Sequence, residues 1–241
     1  MDAFIGLYRL LLRQQLSAAR LALAGALGAL AILVAFLIAR DDSPGVVQDM
    51  VGFLSVYGLG LTVPILCLVM ASSTFGHLVD DETLVYIWIR PVSRWIVALA
   101  GWLASATVAV PATVIPLTIA AALGTANSEF NMRTIGATAL AMALGAVAYT
   151  GLFTFFGLLV RRALIWGLLY VFVWEVTVSR LFAGAARVSI NTYPASVLSD
   201  ITNVGLPLAE SSLSVGIIVP LVVTATAVAL TAWRLNTTDV A

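Results

Sequence analysis

The chain has no lysine, one cysteine and one histidine, and only 10% of its 241 residues are charged. Each scarcity removes a class of chemistry. Without lysine there is no Walker A loop, whose lysine reaches the nucleotide phosphates, and no Schiff-base catalysis, which needs a lysine amine. Cys67 alone forms neither an intrachain disulfide nor a thiolate metal site, and His77 alone cannot supply the two histidines of an HExxH zinc motif. Soluble domains carry roughly 25% charged residues, so a water-soluble fold is excluded too.

Apolar residues fill the space that charge leaves. They make up 61% of the chain, and the mean hydropathy is +1.06. Backbone polar groups inside a bilayer must be satisfied within the segment, which restricts spans to helices or closed barrels. The apolar runs here are unbroken and do not alternate with polar residues, as barrel strands would, so helices are expected. At roughly 20 apolar residues per span, the chain has room for six. The expected fold is therefore all-α and polytopic, one membrane domain over 1–241. It comprises an interfacial helix (1–20), a six-helix bundle (21–233) and a short tail (234–241).

The six spans are read at 21–39, 50–73, 95–122, 134–160, 163–178 and 213–233. Ahead of them, 2–19 reads as a helix lying on the membrane surface. At 100° per residue Asp2, Arg9, Arg13 and Arg20 fall within about 40° of one another, and the apolar remainder can rest among lipid headgroups. A cleaved signal peptide fits poorly, because an arginine-bearing lead of this length precedes the first apolar run. Arginine asymmetry sets the orientation. With both termini inside, eight arginines (9, 13, 20, 90, 94, 161, 162 and 234) are cytoplasmic and four (40, 133, 180 and 187) are external. An alanine-rich chain whose basic residues are all arginine also suggests a high-GC prokaryotic genome, hence a prokaryotic inner membrane.

Segment 179–212 is too polar to span and too apolar to be a free loop, so a pair of short external or re-entrant helices is expected there. Small-residue stripes, Ala24 with Gly28 and Ala137, Ala141 with Gly145, predict close helix packing. Pro64, Pro111, Pro116 and Pro220 fall inside spans and are expected to kink them.

Two places could carry function. The first is the polar island 75–94, cytoplasmic on this topology. Asp80, Asp81 and Glu82 precede the apolar run Thr83-Leu84-Val85-Tyr86-Ile87-Trp88, and Pro91 follows. Acidic residues suit a helix N-terminus and proline ends a helix before it, so a short surface helix is expected, with a solvated loop as the plainer alternative. The second is Glu175, an ionisable residue within a span, which is a functional hypothesis in its own right. It is either a polar contact, proton or cation site in a translocation path, or a structural carboxyl paired with Arg180, Arg187 or hydroxyls of another helix.

The island, with Thr83-Leu84, Tyr86 and Arg90-Pro91-Val92-Ser93-Arg94 in order, resembles the type-2 export class of ATP-binding-cassette (ABC) transporter permeases. Glu82 stands where that family has glycine. Leu169-Tyr-Val-Phe-Val-Trp-Glu175, followed by Val188-Ser-Ile and Tyr193, is a second similar stretch. The resemblance implies a half-transporter without enzymatic activity of its own. It would pair with a second permease, identical or related, and dock two ATPase subunits that bind ATP and Mg; no cofactor is expected in this chain and no nucleic acid among its partners. The coupling interface would comprise Asp80, Asp81, Glu82, Thr83, Leu84, Tyr86 and Arg90, braced by Arg9 and Arg13 of the N-terminal helix. A hydrophobic or amphipathic substrate, membrane lipids as surroundings and Glu175 in the path complete the expectation. The alternatives are an ion-coupled secondary transporter using Glu175, or a membrane-embedded enzyme, for which a histidine pair, GxSxG and a cluster of intramembrane carboxylates are all missing.

Overall fold

The structure, a computed structural model, describes residues 2–40, 45–80, 93–181, 183–207, 209 and 211–237. Among these, helix is the only regular structure. We number the helices α1 (Asp2–Gln15), α2 (Ala18–Ile38), α3 (Val46–Phe53 continuing through Leu54–Thr62 and Val63–Asp80), α4 (Arg94–Gly124) and α5 (Asn131–Leu159). They continue with α6 (Ala163–Leu169, Tyr170–Val178 and Ser179–Leu181), α7 (Ala183–Ala186), α8 (Thr192–Thr202) and α9 (Leu213–Thr237).

Five of these helices are long and apolar enough to cross a membrane: Ala18–Ile38, Val46–Gly76, Arg94–Gly124, Asn131–Leu159 and Leu213–Thr237. The sixth expected span, Ala163–Val178, is apolar but only 16 residues long. The distribution of side-chain size is that of a lipid-facing bundle. On α2 the buried residues are Ala24, Gly28, Ala31 and Ala35, while Leu21, Leu30, Leu33, Phe36 and Leu37 face outward. Water would drive the large groups inward. In lipid, where tails are as apolar as leucine, close backbone contact favours small residues at the interface.

Helix α5 is the hub, packed against α3, α4, α8 and α9. Ala137 and Ala141 of its predicted stripe are fully buried. Near the other end of the helix, a Cβ placed on Gly157 would sit 2.5 Å from the Ser72 carbonyl oxygen of α3. Only glycine permits that approach. Cys67 is a packing residue whose thiol lies 3.6 Å from the Ala146 carbonyl.

Three departures from expectation have local causes. First, the N-terminal helix ends at Gln15, not at 19. Ser17 adopts extended backbone (φ −88°, ψ 145°) and its hydroxyl accepts the Arg20 N–H, starting α2 afresh. Arg20 therefore leaves the charged stripe of α1. Second, the apolar residues Phe4, Tyr8, Leu11 and Leu12, expected among lipid headgroups, turn toward the protein. They converge, with Leu7, on Ala100 and Ala104 of α4, leaving Arg9 and Arg13 exposed on the opposite side. Third, two helices carry irregular winding that the sequence did not signal, while Pro111 and Pro116 fall within one continuous helical stretch. The irregular winding occurs elsewhere, over Leu54–Thr62 and Tyr170–Val178, where the helix takes i→i+5 bonding. The first such stretch ends at Thr62, two residues before Pro64, which has no N–H to return to the preceding turn.

Among the described residues two take left-handed backbone: Asn203 (φ 56°) closing α8, and Arg162 (φ 58°) opening α6. Asparagine tolerates this conformation at a helix C-terminus. Arginine accepts it at a cost of about 1 kcal/mol.

Candidate functional site

Glu175 has no solvent-accessible surface. Its carboxylate is held by three donors. The Tyr170 hydroxyl donates to Oε1 at 2.7 Å, the Ile190 N–H donates to the same oxygen at 3.1 Å, and the Ser189 hydroxyl donates to Oε2.

The winding of α6 makes the first contact possible. In an α-helix, residues five apart point about 140° away from each other. Over Tyr170–Val178 the i→i+5 bonding stacks them instead, which brings Tyr170 over Glu175 and lets Thr177 Oγ1 donate to the Phe172 carbonyl at 2.9 Å. The aromatic ring of Tyr170 is fixed in turn by edge and tilted contacts with Phe153 and Phe156 of α5.

The other two donors come from a turn of the chain that doubles back after α6. Ser179 donates to the Glu175 carbonyl at 2.5 Å, α7 follows, and by Ser189 and Ile190 the backbone has returned to the carboxylate. The turn is tied further by Thr192 Oγ1 to the Ala186 carbonyl (2.6 Å) and by Tyr193 to the Arg187 carbonyl (2.6 Å). Helix α8 then departs from this point, buried along most of its length. Its Pro194 packs near Gly145, midway along α5, and its Tyr193 carbonyl and Val197 press on Gly216 of α9. The carboxylate is thus the clasp of a loop inserted among α5, α6 and α9.

Two more buried polar side chains border this clasp. The Tyr149 hydroxyl of α5 faces Glu175 beyond hydrogen-bond geometry, and both amide atoms of Asn191 lack partners. Among the described residues no group of three His, Cys, Asp or Glu side chains could hold a metal ion.

A second buried polar cluster centres on Gln15, at the end of α1. Its Nε2 donates to Thr74 Oγ1 at 2.7 Å and to Ser105 Oγ at 3.4 Å, while Thr74 and Ser105 share a hydrogen bond of 2.7 Å. Its Oε1 accepts from Arg20 at 2.9 Å and from Ser73 at 3.4 Å. One amide therefore joins α1, α2, α3 and α4. Tyr8 adds a contact to Thr107 at 3.0 Å.

Of the residues singled out from sequence, Glu175 lies at the first cluster, and its described partners are hydroxyls and a backbone amide. Arg187 is not among them; the side chain of Arg180 is outside the described residues. Arg9 and Arg13 are exposed on α1. Asp81, Glu82, Thr83, Leu84, Tyr86 and Arg90 lie outside the described residues, as does the side chain of Asp80. The structure brings together Glu175 and the Val188-Ser-Ile stretch, which the sequence resemblance had picked out separately. Sequence reasoning passed over Gln15, Thr74 and Ser105. A glutamine at the end of an otherwise apolar helix face was the available signal. No protein-family model matches the chain, and no curated protein compared with it does.

Proposed function

We propose that this chain is the permease subunit of an ABC exporter of the type-2 class, driven by a separate ATPase through residues 80–90. In this reading α2, α3, α4, α5, α6 and α9 are its six spans, α1 is an interfacial helix, and the inserted segment through α7 and α8 is re-entrant. Both termini face the cytoplasm of a prokaryotic cell. A second permease completes the path for a hydrophobic or amphipathic substrate.

The observation that carries the reading is the ordered Thr-Leu, Tyr and Arg-Pro-Val-Ser-Arg series between two long apolar helices. The Gln15 cluster supports it mechanically. Thr74 lies about 9 Å along the helix from residue 80, and Ser105 about 16 Å from residue 94. A force applied between these helix ends enters a block in which α1, α3 and α4 are already hydrogen-bonded together. A partner gripping 80–90 would then move three helices and not one loop. Arg9 and Arg13, exposed on α1, supply cations to the same partner surface. Glu175 acts here as a positioning residue that keeps the re-entrant segment seated.

Purification from the native membrane in mild detergent tests this. The expected result is a stoichiometric subunit bearing a Walker A loop, lost when 80–84 is replaced by Gly-Ser. A preparation free of any ATPase that still transports in liposomes without ATP would overturn the proposal and move Glu175 to the centre of an ion-coupled mechanism.

A further inference from the structure

Helices α2 and α4 touch at Gly28 and Pro116, where a Cβ on the glycine would sit 2.7 Å from the proline Cβ. Around that contact lies an open groove of about 710 Å³, bounded by α1, α2 and α4. Its floor is low at Gly25, where an added Cβ would meet nothing within 4 Å, and Leu21 and Ile115 stand exposed in its walls. Among the described lining residues Thr107 carries the one polar side chain. That hydroxyl is already engaged, donating to the Leu103 carbonyl at 2.7 Å and accepting from Tyr8 at 3.0 Å. An occupant therefore needs no polar group inside the groove.

Its length decides what that occupant is. Arg20 is the last charged residue before the apolar body of α2, and along α2 the groove starts at the next residue, Leu21. It runs on to Ile32, about 16 Å away, and along α4 from Thr107 to Pro116, about 14 Å. One leaflet supplies about 15 Å of hydrocarbon, half of the roughly 30 Å core of a bilayer. The groove thus has the depth of one leaflet, beginning at the charged end of the span. A helix of a second copy would cross both leaflets and run on past the elbow at Ser17, where Leu12 and Leu16 of α1 form the wall. An acyl tail needs one leaflet only.

We propose that this groove holds an acyl tail of a membrane phospholipid from the leaflet beside α1. The tail touches three helices at once, through dispersion contacts that are individually small and collectively large. Leu12 faces both the groove and the contact of α1 with Ala100 and Ala104 of α4, so a seated tail braces α1 in its dock. The headgroup stays in the interface and is not read. The inference rests on α2 and α4 crossing a bilayer and is independent of what energises transport.

The test uses the full 241-residue chain, stripped of lipid in mild detergent and offered dipalmitoyl phosphatidylcholine, dipalmitoyl phosphatidylglycerol or dihexanoyl phosphatidylcholine. Native mass spectrometry reads bound lipid and oligomeric state, and thermal unfolding reads stability. Both long-tailed lipids are expected to bind alike and to raise Tm, and the short-tailed one to do neither. Gly25→Leu plugs the groove without a clash and improves helix propensity, so it should fold while retaining about fivefold less long-tailed lipid. Ala29→Leu, one turn on at another exposed lining position, is a second plug with the same expected loss. Gly136→Leu, on α5 outside the groove and equally free of clashes, should bind as the unaltered chain does. Lipid retention unchanged in both plugged variants, or equal retention of long and short tails, would overturn the site. A lipid-free dimer that Gly25→Leu converts to monomer would overturn the lipid in favour of a second copy.

Discussion

The clasp at Glu175 and the joint at Gln15 are both buried, both polar and built largely from hydroxyls, yet they do opposite jobs. Glu175 closes a short circuit: its side-chain partners lie 5, 14 and 15 residues away. Gln15 reaches Thr74 and Ser105 across 59 and 90 residues. One holds a loop onto its own helix, the other holds separate helices to each other. A carboxylate concentrates three donors on two oxygens and so suits a tight turn. An amide donates and accepts at once, which suits a joint between unlike partners.

The comparison can be broken at either end. The largest effect is expected from Glu175→Ala, which leaves Tyr170, Ser189 and the Ile190 N–H without an acceptor. At about 0.6–1 kcal/mol per hydrogen bond within a membrane bundle, it should lower stability by about 2–3 kcal/mol. Thermal unfolding in detergent measures that, and hydrogen exchange should place the loosening at 183–202. Gln15→Ala should cost about 1–2 kcal/mol and release a different region. Here α1 should lose exchange protection while 183–202 keeps its own; the reverse pattern would dissolve the distinction.

Combining the two substitutions sharpens it further. The clusters share no partner, so the double variant should equal the sum of the singles within about 0.3–0.5 kcal/mol. A larger coupling energy in this double-mutant cycle would mean that movement of α1 is felt by the inserted segment through α5. The smallest change is expected from Tyr8→Phe. It removes a single exposed contact to Thr107 and should shift stability by less than about 0.5 kcal/mol, leaving the ring stacked beside Phe4.

Parts of both sites were readable in one dimension. Glu175 stands out because an ionisable residue among Val, Phe and Trp is conspicuous. Its partner Tyr170 does not, because helical spacing places it on another face; only the i→i+5 winding of α6 brings the pair together. The end of α1 was misread for a similar reason. The stripe of Asp2, Arg9, Arg13 and Arg20 continues smoothly through Ser17, while the hydroxyl that stops the helix acts locally and leaves no periodic trace. Gln15 was hidden because glutamine is an ordinary surface residue. Its burial depends on where Thr74 and Ser105 come to lie.

The sequence by itself determined the solvent and the class of fold. Low charge, long apolar runs and the demand that every backbone group be satisfied leave helices in lipid, and small-residue stripes mark which faces close on each other. Tertiary structure alone decided which polar groups meet. Hydrogen bonds act over about 3 Å, and distances of that size between residues 59 or 90 positions apart are set by how the helices pack, not by any pattern along a single one.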